Sequence, residues 1–124
     1  MNNYKITFLF LFQLFSVALF SQTDKMLLPL DGETREAYIQ KATQLRKDEN
    51  YAAAIRQLDT ILLHKPNDAS ILLFKGDMLL QSKLYKNAVA TYKLLLPLNF
   101  ETTITQINLS YALFMNHQPV KALG

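Results

Sequence analysis

The chain has 124 residues, half of them hydrophobic, with 13 Lys and Arg against 10 Asp and Glu and a net charge of +3. Bases and acids are interspersed, no Arg-rich stripe forms, and aromatics do not alternate with bases, which argues against a nucleic-acid-binding protein. The absence of cysteine excludes disulfide staples and the lipid anchor that bacterial lipoproteins carry on a cysteine at the cleavage point.

Residues 1–21 read as a secretory signal peptide. Lys5 precedes an apolar run over 6–20, broken only by Thr7, Gln13 and Ser16, and Ser21 is a small residue at its exit. A membrane span needs about 20 apolar residues, so the run is short for one. The expectation is export of a bacterial protein, periplasmic or secreted, that meets the membrane only transiently. An uncleaved anchor, and initiation at Met26 in a cytoplasmic protein, are the alternatives.

Residues 22–34 form a linker, interrupted by Pro29, and the start of the first helix. Asp31 is placed to cap that helix, with Glu33 and Glu36 near its positive end. Helices are expected over 32–47, 51–64, 69–82, 85–96 and 103–116, with Pro66, Asn67 and Asp68 breaking the second and capping the third. Pro119 opens a sixth, since Pro is well tolerated in a first turn. No stretch alternates with period two, so strands are not expected. Short connections of about two to six residues turn such helices into antiparallel hairpins.

One pattern recurs at a fixed interval. Tyr51, Ala54 and Ile55 return as Tyr85, Ala88 and Val89, and then as Pro119, Ala122 and Leu123. Leu58 aligns with Tyr92; Ala42, Gly76 and Ser110 form a column of small residues, and Leu45, Leu79 and Leu113 a column of large ones. Small residues beside large ones let two helices cross closely while a neighbour fills the gap. A fixed period of this length marks stacked units that cannot bury their apolar faces alone.

The pattern resembles the tetratricopeptide repeat, a helix–turn–helix unit of about 34 residues. On that resemblance the chain is an all-α protein, a right-handed α-solenoid of about two and a half units: 35–68, 69–102 and a partial third at 103–124. Lys41 and Lys75 depart from the family by standing where it usually has Leu. Phe100 stands where Pro is expected and Pro97 comes three residues early, so the fourth helix is expected to end sooner and the next turn to lengthen.

The resemblance also implies a concave groove lined by the first helix of each unit. Carried over, its residues include Ile39, Thr43 and Arg46; then Leu73, Asp77 and Leu80; then Ile107, Tyr111 and Phe114. Some family members clamp a terminal carboxylate with Lys and Asn at positions that Ile39 and Thr43 occupy here, so an apolar helical or extended peptide is the expected ligand. The same apolar residues of the third unit can also serve to pack a further repeat.

His64 and His117 lie in different units with no carboxylate at ligand spacing, and the three glycines are scattered rather than gathered in a phosphate loop. No catalytic, cofactor-binding or metal-ligating set is therefore expected, and the chain reads as a non-enzymatic interaction scaffold of the bacterial envelope. The other reading is the N-terminal repeat segment of a longer sensor or enzyme. With only 120–124 after Pro119, the outer face of the fifth helix is expected to lack a cover. Self-association through that end is expected, as is a continuation of the polypeptide beyond residue 124.

Overall fold

A computed structural model describes residues 30–117. Within them the chain forms five α-helices: α1 at Gly32–Lys47, α2 at Tyr51–His64, α3 at Ala69–Gln81, α4 at Tyr85–Leu95 and α5 at Thr102–Asn116. A 3-10 turn, Leu96–Leu98, separates the last two, and no strand occurs among the described residues. The described residues are all-helical, as their periodicity implies. The signal peptide expected over 1–21, most of the expected linker and the helix expected from Pro119 lie outside the described residues.

Local chemistry sets the boundaries. The Asp31 carboxylate accepts the Thr34 amide at 2.7 Å, which starts α1 and holds that carboxyl below its ordinary pKa. Asn50 plays the same part for α2 through a longer bond of 3.4 Å from the Ala53 amide. Asp68 stands at the start of α3 but makes no side-chain cap there; its carboxylate turns instead toward Arg35 of α1. Pro97 has no N–H to continue the ladder, so α4 gives way to the 3-10 turn after Leu95. The chain then passes through two left-handed residues, Asn99 and Glu101, before α5. The earlier end and longer connection match the expectation drawn from Pro97.

The two tight turns repeat one geometry, one repeat interval apart. The Asn50 amide donates to the Leu45 carbonyl at 2.8 Å and the Glu49 amide to Arg46 at 2.9 Å. In the second turn the Leu84 amide donates to Leu79 at 2.9 Å and the Lys83 amide to Leu80 at 3.0 Å. This paired closure requires a left-handed residue, and Glu49 (φ 58°) and Lys83 (φ 62°) supply it although neither is Gly. A left-handed non-Gly residue costs about 1–2 kcal/mol, while introducing Gly frees the unfolded chain by about 0.4–1 kcal/mol. Lys83→Gly and Glu49→Gly should each therefore raise stability by about 0.5–1 kcal/mol, additively. Urea midpoints below the parent's would mean that the replaced side chains make contacts worth more than the strain.

Consecutive helices pack on one another, and α3 is the shared wall of two cores. Ile71 and Met78 join Ala42, Ala54, Leu58 and Ile61 between α1, α2 and α3. Leu72 and Leu79 join Ala88, Val89, Tyr92, Leu95 and Ala112 between α3, α4 and α5. The small residues Ala42, Gly76, Ala54 and Ala88 are all buried, whereas Ser110 is exposed. At Gly76 an added Cβ would lie 2.6 Å from the Tyr92 ring, so here the crossing of α3 and α4 leaves no room for a methyl group.

Candidate functional site

The helices α1, α3 and α5 supply the nine residues expected to line a groove, and side-chain contacts join them in that order. Arg35 of α1 reaches Asp68 and Ser70 at the start of α3, and the Arg46 guanidinium lies over the Phe74 ring, 5.2 Å from its centroid. Asn108 of α5 donates to Asp77 of α3 at 3.1 Å.

Exposure divides the nine sharply. Ile39, Thr43, Arg46, Leu73, Asp77 and Leu80 are half-buried, while Ile107, Tyr111 and Phe114 are 60, 50 and 64% exposed. Leu73 and Leu80 pack against the second core, Ile39 against the first.

The polar candidates on α1 and α3 are engaged within the fold. The Thr43 hydroxyl donates to the Ile39 carbonyl of its own helix at 2.8 Å. Asp77 Oδ1 accepts the Tyr92 hydroxyl at 2.6 Å as well as Asn108, so one carboxylate ties α3 to both α4 and α5. Burial, reinforced by the Asp77 hydrogen bond and charge, raises the Tyr92 pKa far above its ordinary value, and the phenol stays protonated as a donor. What this surface offers outward is mainly apolar, and it is concentrated on α5. Tyr111 leans on Tyr85 of α4 edge to face, with ring centroids 6.3 Å apart.

Two further hollows were not expected. One, of about 520 Å³, lies between α2 and α4, with Ala52, Ile55, Ala90 and the exposed Leu84 and Leu94 on its walls. Lys75 enters it and donates to Asp59 of α2 at 2.7 Å. Two signals pointed there: Lys75 in place of an apolar residue, and Leu94 where the first unit has Thr60. The other, of about 540 Å³, borders the turn between α2 and α3 and is edged by Arg35, His64, Lys65 and Phe100.

Among the described residues no three His, Asp or Glu side chains gather as a metal-binding group, and no helix is long and apolar enough to cross a membrane. Compared with known proteins, the sequence matches no family model and no curated protein. The class defined at this point is an all-helical protein whose fifth helix carries an exposed apolar row.

Proposed function

We propose that the chain is an exported bacterial tetratricopeptide-repeat protein, a right-handed solenoid of about two and a half units that acts as a non-enzymatic scaffold. Its ligand is an apolar peptide or protein segment laid across α1, α3 and α5. The repeat reading draws support from the recurrence of turns, small-residue crossings and cores at the same interval along the chain. The binding reading rests on one observation. Ile39, Leu73 and Ile107 hold corresponding positions on helices joined side by side, and the row opens to solvent at α5.

A peptide-display selection on the purified chain tests the binding. Apolar sequences should be enriched and bind in the micromolar range, and Ile39→Ser or Leu73→Ser should weaken them about tenfold in chains with a parental circular dichroism spectrum. No enrichment, or binding indifferent to both substitutions, would overturn the scaffold reading. Intact mass of the exported protein tests the localisation, with Gln22 the expected first residue.

A further inference from the structure

We propose that the outer face of α5 pairs with the same face of a second copy of this chain, antiparallel and about a two-fold axis. The inference rests on the exposed row of α5 and does not depend on the peptide-binding reading.

The internal register shows what this face lacks. At one set of corresponding positions α3 directs Ile71, Phe74 and Met78 toward the α1–α2 pair, and α5 directs Thr105, Asn108 and Ala112 toward the α3–α4 pair. At a second set, Ile39 and Arg46 of α1 pack toward the first core and Phe74, and Leu73 and Leu80 of α3 pack against the second core. The second set on α5 is Ile107, Tyr111 and Phe114, extended by Ile104, and all four side chains are exposed.

Head-to-tail stacking would set this row against the rear of α1 in another copy. The residues there are Ala37, Gln40 and Gln44, flanked by Glu36 and Lys41, and every one of them is exposed. Among the described residues that surface offers only Ala37 and the flank of the half-buried Tyr38 as apolar contacts, and Gln44 is already bonded to Asp48. An apolar row gains little from burial against it, so an open chain of copies is disfavoured.

The α5 row, by contrast, is complementary to itself. Its residues are spaced three, four and three apart, a series that reads the same in both directions. Two antiparallel copies therefore place Ile104 opposite Phe114 and Ile107 opposite Tyr111, with the three-and-four seam of a short coiled coil. None of the fifteen residues of α5 is Asp, Glu, Lys, Arg or His, so no like charges meet across the axis.

Size sets the strength. Four side chains of about 200 Å² each, roughly half exposed, contribute about 400–500 Å² per copy. The total lies at or just below the roughly 1,000 Å² that marks the lower end of specific interfaces. The expected dimer is weak and concentration-dependent.

Analytical ultracentrifugation of the full chain, purified from its own host, should show a reversible monomer–dimer equilibrium in the micromolar range. Ile107→Glu and Phe114→Glu should each weaken it at least tenfold without changing the far-ultraviolet spectrum, because both side chains are exposed. The chain has no native cysteine, so single cysteines report the pairing cleanly. Ile104→Cys mixed with Phe114→Cys should form a disulfide-linked heterodimer faster than either forms a homodimer. A parent that stays monomeric at all concentrations overturns the proposal. So do open-ended species, or homodimers that outpace the mixed one. Peptide binding by a strictly monomeric chain would leave the groove reading standing and remove this one.

Discussion

Replacing Gly76 by Ala lowers the stability of the fold by about 1–2 kcal/mol, although Ala is the better helix former. Two effects oppose each other. Ala gains about 1 kcal/mol over Gly in a helix interior. Its Cβ, however, would lie 2.6 Å from Tyr92 Cε1 and 2.8 Å from Cζ, too close for either to stay in place. The ring cannot swing aside, because Tyr92 is fully buried and its hydroxyl is held by Asp77 at 2.6 Å. Overpacking of this kind costs about 1–3 kcal/mol, and with a tethered aromatic ring the upper part of that range applies.

The corresponding crossing in the first unit shows the compensation. There Ala42 stands in the place of Gly76 and Leu58 in the place of Tyr92, so a larger small residue accompanies a smaller large one. Tyr92→Leu alone should cost about 2–3 kcal/mol through lost volume and the lost bond to Asp77. Combined with Gly76→Ala, the two losses should fall short of their sum by about 1 kcal/mol or more. Urea unfolding of the four chains measures the coupling. A Gly76→Ala chain as stable as the parent would mean that α3 and α4 separate easily, and that this crossing does not set their distance.

Much of the architecture was legible because its signals are local or periodic. Asp31, the repeat interval and the break at Pro66 located α1 and α2 to the residue, and Pro97 foretold the short fourth helix. The fate of the polar residues was not legible in the same way. Asp77 lies on the helix face expected to meet a ligand, but its partners Tyr92 and Asn108 are 15 and 31 residues away. Whether a carboxylate meets solvent or a buried phenol depends on how α4 and α5 lean on α3, which helical periodicity does not encode. Ser110 fails for a related reason. It continues the column of small residues, but smallness permits a close crossing only where a neighbouring helix takes the space, and here it is exposed.

Asp68 is the third such residue, and removing its partner gives a loss as large as that expected for Tyr92→Leu. Read locally, Asp just before a helix is a cap; in the fold it accepts Arg35 Nε at 3.0 Å on one oxygen, and Arg35 Nη2 at 3.2 Å and the Ser70 hydroxyl at 3.0 Å on the other. The Asp68 side chain is 7% exposed and that of Arg35 34%. Removing one member of a fully buried pair costs about 3–5 kcal/mol, because the other charge is left without compensation. Here solvent reaches the guanidinium, and the Ser70 hydroxyl and the positive end of α3 remain beside the carboxylate. Arg35→Ala should therefore cost about 2–3 kcal/mol. Arg35→Lys should recover only part of this, since an ammonium cannot span both carboxylate oxygens as the guanidinium fork does. Lys75→Ala provides the internal control: it removes an exposed ion pair with Asp59 and should cost under about 1 kcal/mol. Urea midpoints of the three variants rank the pairs. If Arg35→Ala falls no lower than Lys75→Ala, water reaches Asp68 freely, and the contact holding the first turns of α1 to the start of α3 contributes no more than an ordinary surface pair.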